Sequence, residues 1–280
     1  MKTALVLLNY NDPDAALRAV KRAEKISAID KIFVVDNAST DGSAEKLSKE
    51  SGFVLVLNEK NGGYGFGNNR GIEKCAQEGF DKAIIANPDT VFSQEAVIML
   101  LDALNMENTA AAGAVMTGRP AQESAFPLLS FWDELMFSGP VLKRIFKSRV
   151  SYPDAFFEKL PAFCGAVHGS FFAVNTKDFL LAGGFDERFF LFCEEKVLGQ
   201  RIKAAGKNIV LTGACYAHEG SASMKNTGMD LYRRETERQK SERLYYKYYL
   251  AAGPVKMCAV RIIQAIVGLE TRLYCLWNRS

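Results

Sequence analysis

No Cys-x-x-Cys pair, no Gly-Lys-Ser/Thr run and no apolar stretch approaching a membrane span occurs in this chain, and each absence excludes a class of protein. The six cysteines (Cys75, Cys164, Cys193, Cys215, Cys258 and Cys275) are scattered. Without a close pair they argue against a zinc ribbon, a redox dithiol and a disulfide framework, and they fit a reduced, cytosolic setting. A P-loop is missing, and no register of Gly62, Gly63, Gly65, Gly67 and Gly71 satisfies G-x-G-x-x-G. Charge of one sign is also missing: Lys and Arg number 35 against 32 Asp and Glu, a poor composition for coating nucleic acid. Disorder is excluded by a 48% apolar share over 280 residues, enough for one large core or two modest ones. The early apolar run Ala4 to Leu8 is too short for a signal-peptide core. It ends at once in Asn9-Tyr10-Asn11-Asp12 and reads as a buried strand.

What is present is alternation. Leu5 to Leu8, Ile32 to Val35, Val54 to Leu57 and Ala83 to Ala86 are short, branched and apolar, as strands require. Between them lie segments of helical length, Asp14 to Ile26 and Asp41 to Glu50, the second preceded by N-cap candidates in Ser39-Thr40-Asp41-Gly42-Ser43. Continuous apolar strands alternating with helices predict an α/β fold with a mostly parallel sheet covered on both faces. Ligands of such sheets bind at the carboxyl edge of the strands. The residues after each run are therefore the informative ones: Asn9-Tyr10-Asn11, Asp36-Asn37-Ala38-Ser39, Asn58 with the loop Asn61 to Gly71, and Asn87-Pro88-Asp89-Thr90.

Turn chemistry supplies Asn, Asp and Gly at any one such place, but explains all four together poorly. The glycines suit backbone N–H groups approaching an anion at a helix start, with Arg70 adding a charge-assisted contact. The plainer reading is a tight strand-to-helix turn with an exposed arginine. Asp89 has the chemistry of a ligand for a hard divalent cation, with Asn87 offering a neutral carbonyl; Asn-Pro-Asp is also a common turn. Further on, an aromatic stretch from Gly183 delivers Glu194 and Glu195 to the start of a helix running to Ala205. The helix dipole accounts for glutamates there, and so does a general base held against an apolar wall that raises a carboxylate's pKa. Of the two histidines, His218 follows the apolar segment Ile209 to Ala217 and suits a metal ligand, a contact to a diphosphate, or a satisfied buried side chain. His168, before Gly169-Ser170, carries the weaker signal.

The order of these motifs resembles the family 2 inverting glycosyltransferases of GT-A fold, especially bacterial rhamnosyltransferase-like members. Val34 to Ser43, Asn61 to Gly71, Asn87-Pro88-Asp89, Gly184-Phe185-Asp186-Glu187 up to Glu194-Glu195, and His218 carry the resemblance, which covers approximately Thr3 to Ser223. It implies a nucleotide-diphosphate sugar donor and a Mn2+ or Mg2+ cofactor. By position, Asn9 and Asn11 fall where family members hold base and ribose, and Asp36 where a carboxylate contacts the nucleotide. Asn61, Gly62, Gly67, Asn69, Arg70 and Asn87 match the stretches lining nucleotide and phosphates. Asp89 matches the metal-binding carboxylate of the Asp-x-Asp motif, His218 a late histidine near metal and diphosphate, and Glu195 the catalytic base. Asn87 departs from the first Asp of that motif, and Val197 stands where many members carry another acid.

The implied chemistry is inverting transfer, with Glu195 deprotonating an acceptor hydroxyl and the cation offsetting charge on the leaving diphosphate. The acceptor would be a saccharide, lipid-linked or free, in bacterial cell-surface polysaccharide synthesis. Its side of the site is expected from Arg119 to Phe163, a region with little regular pattern but many aromatics, including Trp132; Glu194 and His168 join it. A domain of residues 1–224, with a nucleotide-sugar half to about 118 and an acceptor half beyond, is expected to carry this chemistry. From Lys225 onward eleven Lys and Arg face five Asp and Glu, and residues 225–280 form a basic helical extension. That extension suits an anionic membrane surface, a hairpin packed on the catalytic domain, or a homodimer interface. The expected location is cytoplasmic, peripheral on the inner face of the membrane if the tail binds lipid. Two other readings compete with this one. A sugar-nucleotide pyrophosphorylase needs a Gly-rich loop and Arg after the first strand, where Asn9-Tyr10-Asn11-Asp12 stands instead. A non-catalytic nucleotide-sugar-binding subunit is encouraged by Asn87 and Val197.

Overall fold

The computed structural model describes residues 1–136, 147–219 and 231–277. The four apolar runs form strands β1 (Thr3–Asn9), β2 (Lys31–Asp36), β3 (Val54–Leu57) and β4 (Lys82–Ala86). Helices α1 (Pro13–Ala23), α2 (Ser43–Ser48) and α3 (Tyr64–Gln77) connect them. The first two helices are shorter than the sequence pattern predicts. Asp12 caps α1 through its side chain, whereas α2 begins at Gly42 in the left-handed region with no side-chain cap. Beyond these lie β5 (Thr90–Phe92), α4 (Gln94–Ala103), β6 (Thr109–Thr117) and β7 (Ala125–Phe126). Short helices α5 (Phe131–Met136), α6 (Lys147–Val150) and α7 (Asp154–Phe157) follow, then β8 (Ala162–Cys164) and β9 (Ala166–Val167). The stretch that looked unpatterned is thus broken into small elements. The chain continues through β10 (Phe171–Asn175), α8 (Thr176–Leu181), α9 (Glu194–Ala204) and β11 (Asn208–His218). It closes with helices α10 (Leu231–Tyr249) and α11 (Pro254–Trp277).

Among the described residues, nine strands form one sheet whose main path runs β3-β2-β1-β4-β10-β6-β11-β5, with β8 pairing β11. Strands β1 to β4 are mutually parallel where they pair, with Asn9 opposite Asp36 and Asp36 opposite Leu57. β10 runs antiparallel between β4 and β6, so its amino end reaches the edge where β1 to β4 finish. β11 lies parallel to β6 and antiparallel to β5, setting His218 opposite Thr90. One rim of the sheet therefore collects the ends of β1, β2, β3, β4 and β11 and the start of β10.

Successive side chains of a strand point to opposite faces, and both faces are dry here. Leu5, Leu7, Val34 and Ile84 pack under α1 and α4, while Val6, Phe33, Val35 and Ile85 pack under α3, α8 and α9. A third cluster joins the carboxyl-terminal helices to the sheet domain: Tyr245, Tyr246 and Val260 pack with Phe131, Phe189 and Val197. Val197, where the resemblance leads one to expect an acid, is fully buried in this contact. The two carboxyl-terminal helices pack on each other and against the sheet portion of the chain as a hairpin. Its expected starting point near Met224 lies outside the described residues.

Candidate active site

At the ends of β1 and β2, polar side chains are buried in pairs. Asn9 is inaccessible and donates to Asp36 Oδ1 at 2.7 Å and to Ser39 Oγ at 3.2 Å. Asp36 also accepts from the Ser39 hydroxyl at 2.6 Å and the Ser39 amide at 3.0 Å. Buried polar groups normally find partners, yet Asn9 Oδ1 has none. Asn11 sits at φ 55° and closes the rim by exchanging hydrogen bonds with Thr40. Asn37 was not among the predicted site residues, but its side-chain amide ties the loop after β2 to the loop after β3. It donates to Asn61 Oδ1 and the Gly63 carbonyl and accepts from Asn58.

The turn after β4 is fixed from both sides. Ser170 accepts from the Asn87 amide at 2.8 Å, and Arg22 donates to the carbonyls of Pro88 and Thr90. Asp89 is thereby held buried, with Oδ1 at 3.1 Å from His218 Nε2 and Oδ2 without any hydrogen-bond partner. A cleft lined by Leu8, Asn9, Tyr10, Asp12, Pro88 and Asp89 joins this carboxylate to the end of β1. The His218 ring faces His168 edge-on, with centroids 6.2 Å apart. His168 Nδ1 lies 2.8 Å from Ser170 Oγ, which is 2.6 Å from the Tyr216 hydroxyl. Burial holds His168 below the usual histidine range, against the opposing charge of Glu195, so the ring is poised neutral.

Glu195 reaches the same rim from α9. Its Oε1 accepts from the Gly169 amide at 3.3 Å, and the Gly169 carbonyl accepts from the Tyr64 hydroxyl at 2.5 Å. The neighbouring Glu194 points into the protein and is buried, with Oε1 unpaired. Desolvation, reinforced by the charge of Glu195, pushes its carboxyl up to about 8, so it is the protonated member of the pair at neutral pH. The chain enters this helix through Phe192 at φ 72° and Cys193 at φ 68°. Two successive non-glycine residues in the left-handed region cost about 1–3 kcal/mol each, strain that concentrates at functional sites.

Several predicted contacts are spent on structure instead. Asn69 accepts from the Phe185 amide at 2.9 Å and donates to the Phe185 carbonyl and Glu187, which fills it with loop contacts. Arg70 pairs with Glu73 and Glu187 and stacks on Phe66, so its charge is already neutralised. The glycines serve close packing: a Cβ on Gly67 would stand 2.3 Å from Leu8 Cδ1, and one on Gly62 would stand 2.4 Å from the Phe66 ring. The amide at the start of α3 is also taken, since Tyr64 donates to the Phe190 carbonyl at 3.1 Å. Asn61, by contrast, lies on the rim, its Oδ1 shared between Asn37 and the Gly63 amide. Trp132 is 56% exposed on α5 and packs edge-on against Phe131. Phe137 and Phe146 lie outside the described residues. Sequence reasoning did not single out Tyr64, Ser170 or Tyr216 as site residues. Adjacency to Gly63 and to His168 was the available signal for the first two; Tyr216, inside an apolar strand, gave none.

The rim therefore presents Asp89 and His218 in contact, Glu195 beside Gly169, and the Asn9–Asp36 pair across the cleft. Among the described residues no group of three or more His, Cys, Asp or Glu is arranged to hold a metal ion. The fold is of the GT-A glycosyltransferase type. One solved neighbour is a mannosyltransferase from Pyrobaculum calidifontis in complex with GDP-Man and Mn2+. It matches with a TM-score of 0.61 at 13% identity over 99% of this chain and 74% of that one. Another is glucosyl-3-phosphoglycerate synthase from Mycobacterium tuberculosis with Mn2+ and UDP, with a TM-score of 0.52 at 15% identity over 84% of this chain and 78% of that one. Residues 5–172 match the family model of glycosyl transferase family 2, and the chain belongs to that family.

Two curated relatives refine the comparison. An N-acetylglucosaminyl-diphospho-decaprenol L-rhamnosyltransferase of Mycobacterium tuberculosis is 29% identical over 189 residues, 62% of this chain and 61% of the relative. The match thus spans about three fifths of that relative's length. The rhamnosyltransferase WbbL of Escherichia coli K12 is 24% identical over 222 residues, covering 72% of this chain and 80% of the relative.

Proposed function

We propose that this protein transfers a sugar, L-rhamnose by preference, from a nucleoside-diphosphate donor to a hydroxyl of a saccharide acceptor, with inversion at the anomeric carbon. The observation that carries the reading is the gathering of Asp89, His218 and Glu195, more than a hundred residues apart in part, on one rim beside the Asn9–Asp36 pair. The names of the curated relatives support rhamnose, and the decaprenol-linked substrate named for one of them supports a lipid-linked acceptor in surface polysaccharide synthesis.

Glu195 accepts the proton of the acceptor hydroxyl. The acceptor oxygen then bonds the anomeric carbon while the bond to the diphosphate oxygen breaks and its electron pair leaves with the nucleoside diphosphate. Protonated Glu194 removes a second negative charge from the carboxylate pair, leaving Glu195 as the base. Asn9, Asp36 and Asn11 orient base and ribose. Asp89 and His218 fit a divalent cation: a buried carboxylate oxygen has no partner, and magnesium or manganese needs only one or two protein ligands when a diphosphate supplies others. Such a cation would offset the charge developing on the leaving diphosphate.

The test is a panel of nucleotide sugars with Mn2+ or Mg2+, scoring nucleoside diphosphate release with and without glycolipid extract. Release from one donor should fall about 10²–10⁴-fold in Glu195→Ala and vanish with chelator. A binding-only subunit is the second reading, favoured by the neutral Asn87 before Asp89 and by Val197, buried and apolar where an acid is expected. That reading requires donor binding with turnover unchanged by Glu195→Ala.

A further inference from the structure

Helix α11 is apolar on two faces, and only one of them is covered. Val260, Gln264 and Val267 are buried toward α10, where Gln264 bonds the Gln239 carbonyl, Glu242 and Arg243. The opposite face carries Val255 at 86%, Ile262 at 63%, Ile266 at 54% and Leu269 at 59% exposure, with Cys258 also exposed. These recur at intervals of three or four residues, so they form a single stripe along the helix. A helix that is apolar all round normally has a second partner. Among the described residues of α11, Arg261 and Arg272 are exposed, and Lys256 and Glu270 are partly buried, so three of the four charges are basic.

We infer that this outer stripe of α11 is a docking surface for an anionic lipid bilayer, on which the helix lies in the plane of the interface. Aliphatic side chains flanked by arginine match the two demands of such a surface, apolar burial at the acyl boundary and attraction to acidic headgroups. A second copy of the same stripe would bring basic faces together without an exposed acid to pair them. No helix among the described residues is long and apolar enough to cross a membrane. The hairpin also touches the catalytic machinery: Ser241 donates to the Leu191 carbonyl, three residues before Glu194. A bilayer under α11 would thus present lipid-linked substrate near the loop that carries the carboxylates, although the inference itself is independent of the transferase reading.

Co-sedimentation of the full chain with vesicles tests it, without donor or acceptor. Partition onto phosphatidylglycerol-containing vesicles should exceed that onto pure phosphatidylcholine by about ten-fold and weaken with salt. The double variant Ile262→Glu/Leu269→Glu should lose binding about ten-fold, while Ile262→Leu/Leu269→Ile retains it. Equal partition onto both lipids, or wild-type binding by the Glu variant, would overturn the inference. So would a dimer, seen by analytical ultracentrifugation and broken by Ile262→Glu, in a protein that binds no vesicle.

Discussion

The two carboxyl groups that open α9 differ by one position and meet opposite surroundings. Glu195 meets a backbone amide on the rim, and Glu194 is buried, where desolvation outweighs the backbone amides of Glu194 and Phe192 that face its carboxyl. A carboxyl raised from its ordinary value near 4.5 to about 8 binds a proton in the folded state that the unfolded chain releases. Its contribution to stability is therefore present below about 4.5 and is lost as pH rises to about 8. Replacing Glu194 with Gln, which needs no proton, should flatten wild-type stability against pH across that window, by a few kcal/mol at its upper end. Urea titrations at intervals from pH 5 to 9 would read this, and an unchanged slope in the variant would assign the proton elsewhere. The sequence marked Glu195, Asp89 and His218 through the order of motifs in which they stand, since turn chemistry and the helix dipole account for the acidic residues taken singly. It could not assign Asn69 or Arg70. Their contacts lie more than a hundred positions away at Phe185 and Glu187, and local spacing carries no information about that pairing.

Elements were legible where burial is simple. β1, β2 and β4 read as strands because branched apolar runs buried on both faces leave little else to form. The place of β10 did not follow, since an antiparallel insertion between β4 and β6 is decided by tertiary pairing rather than by period. Helix α3 meets β1 through Gly71, where a Cβ would stand 2.4 Å from Val6 Cγ1. Gly71→Ala should therefore destabilise by about 1–3 kcal/mol through overpacking, and Gly213→Ala, with 3.6 Å to its nearest neighbour, should not. Thermal unfolding of the pair separates packing from a general glycine effect. The hairpin is anchored by Tyr249, which donates to Asp186 at 2.7 Å and accepts from Arg201 at 2.9 Å. Burial alone would raise Asp186, but Arg188, Tyr249 and Arg201 outweigh it and hold the carboxyl at about 2. That stability is present above about 3.8 and is lost as pH falls toward 2. Tyr249→Phe should cost about 1 kcal/mol and move acid unfolding to higher pH, measurable by circular dichroism during acid titration.

At the scale of the molecule, the sheet runs without a break from the proposed donor half into the proposed acceptor half: β10 and β11 lie among strands from before residue 118. The two halves therefore share both cores and should unfold together, although their chemistry divides between them. Ligand binding at one rim then stabilises the entire sheet domain by mass action, about 2.7 kcal/mol at a hundred times the dissociation constant. For a domain of this size each kcal/mol raises the midpoint by about 2–4 °C, so saturating nucleoside diphosphate with Mn2+ should shift one transition upward by about 5–10 °C. The shift should shrink on chelation and in Asp89→Ala, whose carboxylate contributes the unpartnered oxygen at the rim. Differential scanning calorimetry distinguishes the possibilities. A single peak that moves as a unit supports a shared core with a divided site. Two peaks of which only one responds to ligand would mean that residues 1–118 hold the donor as an independent unit, and that the continuous sheet does not couple the halves. A single peak unmoved by any nucleotide would remove the donor assignment from this rim altogether.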